Sequence, residues 1–343
     1  MRIAQIAPLA ERVPPKKYGG TERVIHALTE ELVRRGHDVT LFASGDSLTS
    51  AKLHSVYPRA LREAGVKDIY GMNNWLLLSI GEAYASASEF DVIHDHLMPL
   101  SLATANLSSA PAVGTIHGPI TRDVRRLMQS LRNPNIVTIS QAQLFGSADI
   151  NHAGTVYNGL PMQDYPWSAD ADEYLLFVGR ISMEKGVHNA IEVADQLGLP
   201  LIIAAKLESV DRQYYRQYVE PRLSSRITWV GEVDEQERNR LMSRARCFLH
   251  PVEWREPFGL TLIEAMACGC PVIAFRKGSI PEIVKDGETG YVVEDVAEMA
   301  AAADTIEAID RSYCRTYALE NFSAARMTDG YEAVYRKIFE QHE

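Results

Sequence analysis

The chain has 343 residues, 46% of them hydrophobic and 23% charged, with a formal net charge of -10 at pH 7. That length exceeds one ordinary core and suits two domains with a cleft, and the acidity argues against nucleic acid as the main partner. An anionic substrate then needs a local basic pocket, so Arg and Lys residues beside glycines carry most of the information.

Residues 3–8 form an apolar run too short to span a membrane and without a signal peptide's cleavage region, so they read as a first strand. No other stretch approaches a span, and the chain is expected to be cytoplasmic. The turn Tyr18-Gly19-Gly20-Thr21-Glu22 follows, where glycines let backbone N–H groups approach a phosphate; the alternative is a flexible turn with an N-cap at Thr21. Residues 22–35 then place Val24, Ile25, Leu28, Leu32 and Val33 on one helical stripe that ends at Gly36. Further strands fall at 38–43, 92–94, 112–117 and 136–140. His94-Asp95-His96 and His117-Gly118 sit at strand ends, the edge where a cleft opens. His117 has space beside it and is the better substrate candidate, against the commoner structural role of such a histidine. His94 and His96 are spaced like a metal pair but lack a third ligand in sequence reach, so no metal is assigned. In residues 122–132, Val124, Leu127, Met128 and Leu131 share one face and Arg122, Arg125, Arg126 and Arg132 lie elsewhere, a solvated helix rather than a membrane or acceptor surface.

Asn158-Gly159 reads as a turn at a domain junction, and Pro161, Asp164, Pro166, Ser168 and Asp170 have the composition of a linker. Asp170-Ala171-Asp172 has the form of a metal-holding acidic pair, but linker polarity accounts for it. A second strand series runs through 174–179, 201–205, 227–230, 247–249 and 272–275, giving two doubly wound α/β domains. The turn from Gly179 to Gly186 puts Arg180, a planar fork, and Lys185, a point charge, in one strand-to-helix connection that can neutralise a diphosphate; the alternative is surface charge partnered by Glu184. It lacks the P-loop pattern, and no Gly-x-Gly-x-x-Gly occurs in the chain.

Glu256 and Glu264 stand eight residues apart across a loop that turns into a helix at Gly259. Leu260, Leu262, Ile263, Ala265, Met266 and Ala267 make that helix a buried one, ended by Gly269. Its first N–H groups and the dipole form an anion site, while ionised carboxylates accept bonds from hydroxyls. The pattern suits a ligand with an anionic middle and hydroxyl-bearing ends, such as a nucleotide sugar. Ser279-Ile280-Pro281-Glu282 has capping-box spacing and reads as structural. Cys247, Cys268, Cys270 and Cys314 show no metal-ligand spacing and read as buried thiols of a reducing compartment. Residues 324–339 carry Met327, Tyr331, Val334, Tyr335 and Ile338 at helical spacing and must dock on something.

Taken in order, these residues resemble the retaining glycosyltransferases of family 4, α/β proteins of GT-B architecture with two facing Rossmann-like doubly wound domains and an interdomain cleft. The likeness spans nearly the whole chain. It rests on Gly19-Gly20, His117, Gly179-Arg180 with Lys185-Gly186, Glu256 with Glu264, and Gly278 through Gly290 with its Pro-Glu and Asp-Gly-x-Thr-Gly pieces. It implies an acceptor-side domain over 1–160, a nucleotide-sugar domain over 161–323, and a helix over 324–343 that crosses back to the first. It also implies that Arg180 and Lys185 bind the donor diphosphate and that Glu264 accepts from the ribose hydroxyls. Glu256 and the backbone of Phe258, Gly259 and Leu260 then hold the transferred sugar and its phosphate, with His117 facing the sugar and Gly19 and Gly20 closing on the phosphate.

The implied reaction is hexosyl transfer with retention and without metal or cofactor, in which the leaving diphosphate helps deprotonate the incoming hydroxyl. UDP-glucose is the favoured donor, with GDP-mannose or an ADP-sugar as alternatives. The acceptor is expected to be a small soluble metabolite rather than a lipid, with no peripheral membrane contact. Ala205-Lys206, where many relatives have Gly, and Gly278-Ser279, for a common Gly-Gly, are departures. The competing readings are a non-hydrolysing nucleotide-sugar epimerase of GT-B architecture and a nucleotide-sugar-binding protein without turnover; the intact set Arg180, Lys185, Glu256 and Glu264 disfavours the latter.

Overall fold

The structure, a computed structural model, describes residues 1–17, 19–66, 68–131, 133–144 and 149–342. Tyr18 and Arg132, both used above, lie outside the described residues. The chain divides into two compact units, Met1–Pro161 together with the C-terminal stretch from Ser323, and Met162–Phe322.

The first unit is built on seven parallel strands: β1 (Arg2–Ile6), β2 (Asp38–Phe42), β3 (Lys52–His54), β4 (Val92–Asp95), β5 (Ala112–Ile116), β6 (Asn135–Thr138) and β7 (His152–Thr155). Their order is β3-β2-β1-β4-β5-β6-β7, so the winding reverses between β1 and β4. Register pairs Gln5 of β1 with His94 of β4. Central strands are covered on both faces, and every residue of β4 and β5 is buried, the polar His94, Asp95 and Thr115 included. The edge strands β3 and β7 escaped the sequence reading because Lys52–His54 is wholly exposed and His152–Thr155 is only half-buried, leaving no apolar pattern.

The helix Gly20–Arg34 buries Val24, Ile25, Leu28 and Leu32 against this sheet, and its N-cap is Gly19 with no capping side chain, so Thr21 does not cap it. The helix over 122–132 ends earlier than its pattern predicts, at Ser130, capped at its start by the Thr121 side chain. The terminal helix Ala324–Glu340 belongs to this unit and buries Met327, Tyr331, Val334, Tyr335 and Ile338. Arg35, past the end of the first helix, holds it through Asp329 at 2.8 Å, Glu332 at 3.0 Å and the Ala325 carbonyl at 2.8 Å. Its start is fixed where the Ala324 N–H donates to the Leu160 carbonyl at 3.0 Å, beside a bridge between Leu160 and Ser323.

The second unit carries six parallel strands: β8 (Leu175–Arg180), β9 (Leu201–Lys206), β10 (Ile227–Gly231), β11 (Cys247–His250), β12 (Val272–Phe275) and β13 (Gly290–Val293). The order β10-β9-β8-β11-β12-β13 reverses between β8 and β11. The stretch read as a linker is instead strapped down. Arg315 donates to the carbonyls of Gln163, Tyr165 and Ala267, and Arg311 to those of Ser168, Ser243 and Ala245. Two guanidiniums from the helix Arg311–Phe322 thus satisfy backbone that composition alone marks as loose. All four cysteines are buried and free, with their thiols pushed up in pKa by burial. Among the described residues no helix is long and apolar enough to cross a membrane.

Candidate active site

β8 ends at Arg180, and the turn that follows closes at Gly186 in the left-handed region, φ +69°. A Cβ there would stand 1.9 Å from the Pro251 carbonyl oxygen, so only glycine lets this turn lie on the loop after β11. The close approach delivers Lys185. Its Nζ lies 2.9 Å from Glu256 Oε2, with side-chain exposures of 16% and 8%, and 4.7 Å from the centroid of the Trp254 ring. Trp254 Nε1 donates to the same carboxylate oxygen at 3.0 Å, and His250 Nε2 stands 3.6 Å away. Burial by itself raises the Glu256 pKa, but the adjoining His250 ring and the Lys185 ammonium outweigh it and hold the carboxyl at about 2. Glu256 is therefore ionised at neutral pH. Arg180 pairs with Glu184, so the surface-charge alternative describes Arg180 but not Lys185. The Arg180 Nε is buried and has no hydrogen-bond partner among the described residues.

The loop from Glu256 to Gly259 is fixed from behind by Ser279. Its N–H donates to the Glu256 carbonyl at 2.9 Å, and its hydroxyl lies 3.0 Å from both the Glu256 and Phe258 carbonyls. This corrects the capping-box reading, because Ser279 makes no side-chain cap to the helix Ile280–Ile283. The neighbouring Gly278, φ +61°, brings its Cα so near that a Cβ would be 2.2 Å from the Glu256 oxygen. The helix Leu260–Ala267 starts from Gly259 with no capping side chain among the described residues, and its Leu262 N–H donates to the Gly259 carbonyl at 3.0 Å. Within it Glu264 is 1% exposed and forms an ion pair with Arg238 Nη2 at 2.6 Å. Arg238, on the helix Glu235–Arg244, has no sequence signal of its own; neither do Trp254 and His250. Of the acidic pair at 170–172, Asp172 pairs with Arg244 at 2.5 Å. At the departure that ends β9, Lys206 pairs with Glu208 at 3.2 Å.

In the first unit Gly19 and Gly20 begin the helix after β1, and His117 follows β5 at the same edge of the parallel sheet. His117 Nε2 is 2.9 Å from His96 Nδ1, and burial lowers its pKa to about 4. His94 and His96 are both taken up in hydrogen bonds. Among the described residues no group of three or more His, Cys, Asp or Glu could hold a metal ion. Glu22, in the first turn after Gly20, is buried, and that burial pushes its pKa to about 7.

Both units match known families. The model for Glycosyltransferase Family 4 matches residues 18–149, and that for Glycosyl transferases group 1 matches residues 166–318. The chain is 28% identical to a glycogen synthase of Mycobacterium tuberculosis over 85% of this chain and 83% of the relative. It is 25% identical to a phosphatidyl-myo-inositol mannosyltransferase of the same organism, over 88% of this chain and 85% of that one. In fold it is similar to an Anabaena protein solved in complex with UDP-glucose, with a TM-score of 0.75 and 17% identity over 98% of this chain and 100% of that one. Each unit has its own family match, and the chain belongs to the family 4-like glycosyltransferases of GT-B fold.

Proposed function

We propose that the chain moves a glucosyl group from UDP-glucose to an acceptor hydroxyl, with retention of configuration and without a metal ion. The observation that supports this best is the Lys185–Glu256 pair just before a helix without a side-chain cap, with Arg180 at the head of the turn that carries Lys185. The donor diphosphate replaces Glu184 on the Arg180 guanidinium and shares the Lys185 ammonium with Glu256. The amides at Gly259 and Leu260 take a phosphate oxygen. Glu256, ionised, accepts bonds from sugar hydroxyls and faces the positive charge that develops at the anomeric carbon. Glu264, oriented by Arg238, accepts from the ribose. As the anomeric C–O bond to the diphosphate breaks, the acceptor oxygen bonds on the same face and its proton passes to the leaving phosphate oxygen. Positioning and electrostatics carry the rate.

The glycogen synthase likeness and the UDP-glucose bound to the Anabaena protein support a glucosyl donor. The mannosyltransferase likeness makes GDP-mannose and an inositol lipid the competing donor and acceptor. The test follows nucleotide release from UDP-glucose, GDP-mannose and ADP-glucose with small polyol and heterocyclic acceptors, with inositol lipid, and with none. UDP release that rises with a small acceptor is expected. Donor epimerised with no nucleotide release overturns the transferase reading.

A further inference from the structure

Behind His117 runs a buried line of hydrogen bonds that joins strands β1, β4 and β5 to the terminal helix. His117 Nε2 meets His96 Nδ1 at 2.9 Å, His96 Nε2 meets Gln5 Oε1 at 2.8 Å, and Gln5 Nε2 donates to the Tyr335 hydroxyl at 3.2 Å. Beyond it, Tyr335 OH is 2.6 Å from His94 Nδ1, His94 Nε2 is 2.7 Å from Thr115 Oγ1, and that hydroxyl is 3.0 Å from Tyr331 OH. Gln5, His94, Thr115, Tyr331 and Tyr335 are fully buried and His96 nearly so. His117 alone is partly exposed, and its Nδ1 has no hydrogen-bond partner among the described residues.

A line of neutral groups has a direction, because each one gives a proton on one side and takes one on the other. No carboxylate or ammonium belongs to this line, and burial keeps all three imidazoles low in pKa, so each ring carries a single proton at neutral pH. The Gln5 carbonyl oxygen can only accept. His96 therefore holds its proton on Nε2 and offers a lone pair at Nδ1. His117 must donate from Nε2, and its Nδ1 is left bare. On the other side the Gln5 amide donates to Tyr335, whose own proton goes to His94 Nδ1. A half-turn of the Gln5 amide would reverse every link and put a proton on His117 Nδ1.

We propose that Gln5 is a positioning residue for the transfer reaction: its carbonyl, held toward His96, selects the Nε2–H tautomer of His117 and presents Nδ1 as an acceptor for a substrate hydroxyl. A bare nitrogen suits a hydroxyl and repels a phosphate oxygen, so the partner it selects is the sugar or the acceptor alcohol rather than the diphosphate. That His117 touches substrate is what the family resemblance implies and rests on the transferase function proposed above; the tautomer does not.

The test is ring-nitrogen NMR on the full chain labelled at histidine, with turnover measured alongside. The wild type is expected to show His117 protonated at Nε2 alone. Gln5→Glu accepts on both sides, so His117 keeps its tautomer while Tyr335 turns to donate to residue 5 and the His94 proton moves to Nδ1. Gln5→Met fills the space without direction, so His117 is expected to populate both tautomers and kcat to fall about tenfold with KM for the donor within about twofold; Gln5→Glu recovers most of that loss. A wild-type His117 protonated at Nδ1, or one whose tautomer is indifferent to Gln5→Met, overturns the proposal. The wild-type spectrum decides the tautomer even where a variant fails to fold. A tautomer that shifts in Gln5→Met with kcat unchanged upholds the relay and overturns the place of His117 in the site.

Discussion

Beyond the ends of β8 and β11 the second unit gathers ions: Lys185 against Glu256, Arg238 against Glu264, Arg180 against Glu184. Along β1, β4 and β5, and just past the last two, the first unit gathers neutral rings, one amide and hydroxyls. Both sets stand where a parallel sheet reverses its winding, so the scaffold is shared and the side chains make the difference. An ion pair can trade one anion for another, which suits a ligand that arrives with phosphates. A neutral line has no charge to trade but fixes the sense of single hydrogen bonds, which suits hydroxyls.

Lys185→Ala tests the ionic side hardest. It takes away a phosphate contact and leaves Glu256 without its ammonium, and kcat/KM is expected to fall about 10³-fold with weaker UDP binding by calorimetry. Turnover within about tenfold of wild type would make the pair structural and erase the contrast between the units. Arg238→Leu removes the guanidinium from a carboxylate that is 1% exposed, and a loss of about 3 kcal/mol in urea unfolding is expected. The paired change Arg238→Leu with Glu264→Leu should regain most of that stability, whereas a double variant no better than the single one would show that the ions do not act as a pair.

Glu256→Gln keeps the shape of the loop, and kcat should drop about 10²-fold while UDP affinity stays within about threefold. It also has an acid signature. The folded-state pKa of Glu256 is about 2 against an ordinary 4.5, so its stabilisation is full above pH 4.5 and is lost as pH falls toward 2. The Gln variant should therefore lose less stability than wild type across that window, measured by urea unfolding at stepped pH. Ser279→Ala is the mildest change: it removes the hydroxyl that bonds the carbonyls behind the carboxylate loop and leaves the backbone N–H on Glu256, at about 1 kcal/mol of stability and a severalfold loss of kcat. A variant with unaltered kcat would mean that Gly278 and the backbone bond suffice to hold Glu256.

The strands that build the two sheets announce themselves wherever both faces are covered, and β3 fails to do so because Lys52–His54 covers nothing. The same division holds in the site. Glu256 and Glu264 are readable because a turn glycine and a helix lie between them within one short segment. Site partners come from afar: Lys185 is 71 residues from Glu256, and in the first unit Gln5 is 330 from Tyr335. Lys185 is legible because its own turn carries glycines; Arg238, Trp254 and Gln5 have no such local mark, since an arginine on a helix or a glutamine in a strand looks the same whether or not it meets a carboxylate or a ring. Ser279 shows the opposite error. Its spacing to Glu282 satisfies a local rule, while its hydroxyl is spent on the distant loop that holds Glu256.

The return of the chain at Ser323 has a consequence for how the molecule is made. The sheet of the first unit leaves the ribosome early, but Tyr331 and Tyr335, which seal the inner end of its buried line, follow the whole of Met162–Phe322. Until that stretch has been synthesised, Gln5, His94 and Thr115 remain without the tyrosine hydroxyls they bond in the finished protein. The unit that is born first is thus the last to be completed, and a nascent chain stalled before residue 323 would hold a sheet in outline with its histidines still wet.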